Sequence, residues 1–330
     1  MKSLITGGAG FIGSNLVDLL IKKKHKVIVL DNFSTGRKSN LKDHSKKNLK
    51  IINIDISKKN ENLNKHFKGV NYVFHLAGLA DIVPSIENPT KYFEANVIGT
   101  LNVLKASKKA KIKKLIYAAS ASCYGIPKKF PTAESATIDT QYPYALTKWQ
   151  GEELVMHWQK IFNLPAISLR FFNCYGNRSR TTGAYGAVFG VFLAQRLAGK
   201  PLTIVGNGKQ TRDFIHVSDL VNGIHKAAIS NKIGKIYNLA GGKEINVNKI
   251  AKLIGGKKIY IPKRPGEPDR SCANISKIKN DLKWKPKVSI EEGVKDLLKN
   301  IHFFRDAPIW TPKKIKKATK VWFKFLKRNS

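Results

Sequence analysis

The residues best suited to do chemistry in this chain are Tyr144 and Lys148, preceded by the hydroxyl-bearing run Ser120-Ala121-Ser122. Tyr144 and Lys148 form Y-x-x-x-K within Pro143-Tyr144-Ala145-Leu146-Thr147-Lys148. On a helix that spacing puts the phenol and the ammonium on one face, pointing into the same site. A free phenol has a pKa of about 10, so acting as a base near neutrality demands a fall of roughly three units, about 4 kcal/mol. A neighbouring ammonium favours the phenolate and works in that direction. The pair alone is a weak signal in a lysine-rich chain. Its weight comes from the elements that would position it.

The chain opens with an apolar strand pattern and runs through Gly7-Gly8-Ala9-Gly10-Phe11-Ile12-Gly13 into an apolar helical pattern. Strand, glycine turn and helix start are the setting in which such glycines bind a dinucleotide. Gly7 allows the tight turn, Gly10 the close approach of a pyrophosphate, and Gly13 the packing of helix on strand. N–H groups at the helix start, at Phe11 and Ile12, then face the phosphates. The second strand ends at Asp31, with Asn32 beside it. A carboxylate there accepts hydrogen bonds from an adenosine ribose and repels a 2′-phosphate, so NAD is the expected cofactor rather than NADP. A cationic nicotinamide would further favour the Tyr144 phenolate.

Apolar strands at 4–6, 27–30, 51–54, 72–75, 115–118 and 166–170 alternate with helical patterns such as 93–110 and 145–162. This alternation implies an α/β fold, a doubly wound parallel Rossmann sheet. After Gly176 the rhythm changes to glycine-rich and proline-rich loops. The expected division is a cofactor domain over 1–176, with a strand returning near 236–239, and an interleaved, smaller substrate lobe over 177–305. A basic amphipathic tail over 306–330 completes the chain.

The 330 residues are enough for one large domain or two lobes. No run of apolar residues is long enough to span a membrane, and the N-terminus runs straight into the glycine turn without a cleavage signature. Cys123, Cys174 and Cys272 are scattered, without metal-ligand spacing, so no metal site is expected. Together these point to a reducing cytoplasm. The formal charge is +38, and 50 of the 60 basic residues are lysines spread along the chain. Nucleic-acid readers cluster arginine and aromatics on one face. Dispersed lysine reads instead as the surface an AT-rich genome encodes, and no nucleic-acid partner is expected. Between Thr311 and Ser330 there are eight basic residues and no acidic one, with Trp322 and Leu326 at helical spacing. Such a segment either lies weakly on an anionic membrane surface or packs on the substrate lobe with its lysines solvated.

At this point the sequence resembles the extended short-chain dehydrogenase/reductase family. The resemblance is to its nucleotide-sugar epimerase and dehydratase branch, and most to the UDP-glucose and UDP-N-acetylglucosamine 4-epimerases. It rests on Gly7–Gly13, Asp55-Ile56, His75-Leu76-Ala77-Gly78, Asn96, Ala119–Gly125, Tyr144-x-x-x-Lys148, Arg170–Gly176, Arg212–Val217 and Arg264-Pro265-Gly266-Glu267, in order from Met1 to about Phe304. The resemblance implies that Asp55 and Ile56 hold the adenine and that Leu76, Ala77 and Asn96 line the cofactor. Lys148 would also bind the nicotinamide ribose. Phe172 and Asn173 would border nicotinamide and sugar diphosphate. Arg212 and Arg264 would clamp the diphosphate, as guanidinium suits paired phosphate oxygens. Glu267 would take the nucleotide ribose. A homodimer through helices near 92–108 and 143–162 is implied, as is a role in surface polysaccharide or glycolipid precursor synthesis.

The resemblance also implies the opening step. Tyr144 takes the proton from the sugar 4-hydroxyl while hydride leaves C4 for NAD⁺, and Ser120 hydrogen-bonds the same oxygen. The related 4,6-dehydratases carry Asp-Glu after this serine; here stand Ala121 and Ser122. Neither can act as the carboxylic acid or base that an elimination needs. The expected outcome is therefore 4-epimerisation with NAD retained. Ser122 either positions the sugar or caps a backbone turn. The residue that gates bulk at sugar C2 falls on Ser271, whose small side chain admits N-acetyl sugars. That implies UDP-GlcNAc/UDP-GalNAc, with UDP-Glc/UDP-Gal alongside. Ala80 departs from relatives that carry lysine near this place. The alternatives are a UDP-glucuronate epimerase, a nucleotide-sugar reductase of the same branch, and a non-catalytic NAD- or RNA-binding module.

Overall fold

The computed structural model describes residues 1–45, 47–58, 63–179, 188–263 and 267–326. Its strands are β1 (Lys2–Thr6), β2 (Lys26–Asp31), β3 (Leu49–Asn53), β4 (Tyr72–His75), β5 (Lys114–Ser120), β6 (Ala166–Phe171), β7 (Asn173–Tyr175), β8 (Leu202–Val205), β9 (Thr211–His216), β10 (Lys235–Leu239), β11 (Glu244–Asn246) and β12 (Lys258–Ile261). Seven of them form one parallel sheet in the order β10-β6-β5-β4-β1-β2-β3. The order reverses between β1 and β4. A doubly wound sheet opens its ligand crevice at that point, beyond the carboxyl ends of the strands.

The strands are short, continuous apolar runs because both faces are covered. Leu4 and Ile28 point to one face, packing with Val103, Leu104 and Val155. Their neighbours Ile5 and Val29 point to the other, packing with Leu16, Leu20, Leu220 and Ile224. The period of two distributes one apolar run between two cores. A second lobe is built on the β11-β9-β7 sheet and the β12-β8 pair. Its core gathers Phe192, Leu202, Ile204, Ile250, Ile254 and Leu297.

The helix Pro143–Phe162 starts with proline at its first turn, where a missing N–H costs nothing, and ends at Asn163 in a left-handed conformation. Its depth against the sheet is set by Gly151, where an added Cβ would collide with the Tyr117 hydroxyl. Tyr117 donates a hydrogen bond to the Lys148 carbonyl at 3.2 Å. A buried ion pair, Arg170 Nη2 to Glu152 Oε1 at 2.6 Å, ties the same helix to β6.

One expected element differs. The continuous helix over 93–110 is instead a short helix Pro89–Phe93, a π-helical turn Glu94–Ile98, and the helix Gly99–Lys109. Thr100 Oγ1 donates to the Asn96 carbonyl at 2.6 Å, and the Asn96 side chain is tied to Leu79 and Thr147. The wider turn carries Asn96 inward, against Leu79 and Thr147, where hydrophobic periodicity has no view of it.

The tail forms the helices Pro312–Ala318 and Lys320–Leu326. Ile315 joins the core of the second lobe. Trp322 and Leu326, however, are buried against Val83, with Ile82, Ile86 and Tyr142 packed around them. Ile315, Trp322 and Leu326 are thus covered by the chain itself, while Phe325 stays exposed. The tail reaches past the second lobe to the cofactor side, farther than the packed reading of the sequence placed it.

Candidate active site

A cavity of about 390 Å³ opens at the reversal point of the large sheet. It collects the expected cofactor residues Gly7, Gly10, Phe11, Ile12, Gly13, Asp31, Asn32, Asp55, Ile56, Leu76, Ala77 and Phe172, together with Ser120, Tyr144 and Lys148. Gly7 has φ +71°, and a Cβ there would sit 2.7 Å from the Ala77 amide nitrogen. At Gly13 a Cβ would strike the Gly7 carbonyl and lie 2.8 Å from Gly8 Cα. The glycine turn, the helix start and β4 are therefore in backbone contact, and no side chain fits between them. Asp31 fastens this turn: its carboxylate accepts from the Ala9 N–H at 2.9 Å and the Phe33 N–H at 2.8 Å. Asn32 Nδ2 donates to Asp55 Oδ2 at 3.1 Å, which joins the ends of β2 and β3 across the adenine side of the cavity.

At the other end of the cavity stand the hydroxyls. Ser120 Oγ accepts from the Ser122 N–H at 3.2 Å and from Ser122 Oγ at 2.8 Å. Both serines act on the Tyr144 phenol in the same direction, each favouring its phenolate. Of the two roles open to it, Ser122 belongs to the hydroxyl cluster, and it is Ser120 that caps the 3-10 turn Ala121–Tyr124.

Burial governs the charges. It pushes the Tyr144 phenol above its ordinary value, with the Ser120 hydrogen bond pulling the other way. It pushes the Lys148 ammonium down to about 7, opposed by Glu152. Desolvation outweighs the help of the two serines at the phenol, and a cationic nicotinamide beside the ammonium would work against that desolvation. Lys148 Nζ lies 4.5 Å from the Tyr117 ring centre, on a cation–π contact that partly replaces water.

Beneath this end lies a buried chain. Ala77 N–H donates to Thr6 Oγ1 at 3.2 Å, and Thr6 Oγ1 lies 2.7 Å from His75 Nδ1. His75 Nε2 lies 2.9 Å from Thr100 Oγ1. Because Thr100 donates onward to the Asn96 carbonyl, it must accept from His75, which places the imidazole proton on Nε2. Burial holds this imidazole neutral, its pKa lowered to about 3. The chain links the cavity-lining Ala77 to Asn96. Asn96 itself is buried and lies outside the cavity lining; it acts on the site through Leu79.

A second cavity of about 320 Å³ is formed by Val205, Gly206, Lys209, Gln210, Lys263 and Arg270 with their neighbours. Arg212 and Glu267 line it and form an ion pair with each other at 3.0 Å. Arg212 Nη1 also donates to the carbonyls of Thr211 and Pro268, both at 2.8 Å. Arg264 lies outside the described residues. Asn173 is exposed at the start of β7, and Ser271 lines neither cavity. It sits between Arg270, which stacks on Phe130, and Cys272, whose carbonyl accepts from the Thr132 N–H.

The sequence reading missed Ser34, Thr35, Gly78, Leu79 and Ala95 as cavity residues. Ser34-Thr35-Gly36, starting three residues after Asp31, was the available signal. It also missed Tyr142, whose ring stacks on that of Tyr144 at 6.3 Å.

These features coincide with those of known proteins. The profile of the NAD dependent epimerase/dehydratase family matches residues 3–240. The chain belongs to that family. It is 32% identical over 321 residues to the UDP-glucose 4-epimerase of Mycolicibacterium smegmatis, covering 93% of this chain and 99% of that one. It is 32% identical to the solved UDP-N-acetylglucosamine 4-epimerase of Methanobrevibacter ruminantium, in complex with UDP-N-acetylmuramic acid. The TM-score is 0.85, over 91% of this chain and 98% of the other. The UDP-glucuronic acid 4-epimerase of Bacillus cereus, in complex with UDP-glucuronic acid and NAD, superposes with a TM-score of 0.84. The two are 31% identical over 92% of this chain and 99% of the other.

The cavity fits the cofactor this family is named for. A turn in which neither Gly7 nor Gly13 can carry a Cβ exposes backbone N–H groups at a helix start, and Asp31 stands at the end of β2. When bound, NAD supplies a hydride acceptor and donor beside the Ser120–Tyr144 cluster.

Proposed function

We propose that the protein interconverts the C4 epimers of a UDP-sugar, with UDP-GlcNAc/UDP-GalNAc and UDP-Glc/UDP-Gal as its substrates. Residues 1–176 would hold the cofactor and 177–305 would close over the sugar nucleotide. The observation that carries this reading is the Ser120–Ser122–Tyr144 hydroxyl cluster beside Lys148, with no carboxylate in the Ala121–Ser122 position. Tyr144 takes the proton of the 4-hydroxyl. Ser120 hydrogen-bonds the same oxygen. Lys148 favours the phenolate by charge. With no acid–base group to eliminate water, the 4-keto sugar turns over within the site and is reduced on its other face, so no net redox occurs. Arg212 and Glu267 would exchange their mutual ion pair for the diphosphate and the nucleotide ribose, and Ser271 would leave room at sugar C2. Such chemistry suits a cytoplasmic enzyme supplying polysaccharide precursors.

A homodimer through the helices Gly99–Lys109 and Pro143–Phe162 is part of the proposal. Leu146, Ile161 and Phe162 are exposed on the second of these helices, and Phe93 precedes the first. Analytical ultracentrifugation of the wild type and of Leu146→Glu reads it.

Proton NMR of the purified protein with UDP-GlcNAc, UDP-Glc, UDP-Gal and UDP-GlcA in separate tubes, no cofactor added, tests the reaction. The expected result is a new anomeric signal of the 4-epimer in the N-acetyl and plain hexose tubes. Turnover of UDP-GlcA alone would move the assignment to a uronate epimerase, and silence in every tube even with added NAD would overturn epimerisation.

A further inference from the structure

The helix Lys320–Leu326 covers a short helix, Ile82–Glu87, which also packs against Pro89–Phe93 and Pro143–Phe162. The helix Ile82–Glu87 is six residues long and contains Pro84. Isolated helices of that length are unstable in water and depend on packing. It follows at once on Leu79 and Ala80, which line the catalytic cavity. Its apolar residues Ile82, Val83 and Ile86 are covered by Trp322 and Leu326, both almost fully buried. Tyr142 packs against the same cluster. That ring lies parallel to the Tyr144 ring, 6.3 Å away and inclined by 10°. Its phenol also feels Arg212 and Glu267 electrostatically. Tyr142 also occupies the N-cap position of the helix carrying Tyr144 and Lys148, without a side-chain cap bond.

We infer that the C-terminal helix is a buttress for the reaction end of the active site, with Trp322 as a positioning residue that acts through Tyr142 and the Ile82–Glu87 helix. The glycine turn and Asp31 are held by separate contacts, so the buttress acts on the hydroxyl end and leaves the cofactor's phosphate end untouched. The tail's lysines are solvated on the outer side of this helix, beside the exposed Phe325, while Trp322 and Leu326 are buried within the chain.

This inference rests on the epimerase reading for its kinetic arm only. The test compares the full chain with Trp322→Ala, Trp322→Phe and a chain ending at Thr319. Hydrogen exchange over 79–87 and 141–147 is read first, without substrate. The expected result is faster exchange there in Trp322→Ala and in the shortened chain, with exchange over 4–17 unchanged and bound cofactor retained. Turnover of the sugar that the wild type accepts should fall roughly tenfold in kcat, less than the ~10²-fold that a full ångström of misplacement can cost. KM should stay within about twofold, and Trp322→Phe should restore kcat. Unchanged exchange over 79–87 and 141–147 overturns the inference whatever the substrate, as do parallel losses of cofactor, exchange protection everywhere and activity. Tail-dependent sedimentation with phosphatidylglycerol vesicles that releases protection over 79–87 also overturns it, because Trp322 would then be a membrane residue.

Discussion

The two cavities are built in opposite ways. The cofactor cavity lies on the ends of parallel strands, is lined by glycine backbone and alanine, and is pinned by a carboxylate that bonds its own turn. The cavity around Arg212 lies on loops of the smaller lobe, is lined by charged side chains, and is held by an ion pair between two of its own residues. The first is shaped before any ligand arrives. In the second, Arg212 and Glu267 are paired with each other, and under the proposed function they would exchange partners on binding. On that proposal the shared cofactor sits on the rigid part and the sugar nucleotide on the adaptable one.

The comparison can be broken most severely at the junction of the two ends. Tyr144→Phe should lower kcat by about 10³-fold, the typical worth of a placed acid–base group, while bound cofactor, read by absorbance after acid release, stays at the wild-type level. If cofactor is lost too, the hydroxyl cluster is part of the cofactor cradle and the division fails.

The rigidity of the first cavity comes next. Gly7→Ala should cost about 2–4 kcal/mol and empty the cofactor site, since a left-handed φ and a backbone collision at Ala77 coincide there. Gly69 has nearly the same φ, +70°, with nothing within 4 Å of its Cβ direction, and Gly69→Ala should cost only about 1–2 kcal/mol. Calorimetry on both separates strain from collision.

Adaptability of the second cavity predicts a different signature. Arg212→Lys removes the planar fork but keeps the charge, and should raise KM about tenfold with kcat within a few-fold. A fall in kcat with KM unchanged would make Arg212 part of the reaction end instead.

The smallest effect concerns pH. The folded pKa of His75 is lowered to about 3, below the 6.5 of an unfolded imidazole. Between those values the unfolded chain binds more protons, so stability falls as pH drops from 6.5 towards 3. This group alone should cost about 1 kcal/mol by pH 5.5. His75→Gln can keep an acceptor and a donor for Thr6 and Thr100, and should flatten that part of the urea-midpoint profile between pH 7 and 5.5. An unchanged slope would show that His75 does not carry it.

Much of the first cavity was legible in the sequence. Gly7, Gly13 and Asp31 announce themselves because turn geometry and close backbone approach tolerate few residue types, and alternation of strand and helix patterns orders the sheet. Tyr144 and Lys148 were legible through their helical spacing. The second cavity was less so. Arg212 and Glu267 are 55 positions apart, and nothing local in either stretch says that they meet. Ser271 was placed by alignment with relatives, and its surroundings here are Phe130, Arg270 and Thr132 rather than a cavity wall.

The sequence by itself determined the elements, the cofactor turn and the chemistry of the reacting groups, because each depends on contacts between residues near in the chain. Only the tertiary structure decided the π-helical turn that seats Asn96, the tautomer of His75, the burial that raises the pKa of the Tyr144 phenol, and the reach of Trp322 to Tyr142. Those depend on which distant segments exclude water from which groups. Desolvation and packing are properties of the assembled neighbourhood, and no pattern along one stretch of chain contains them.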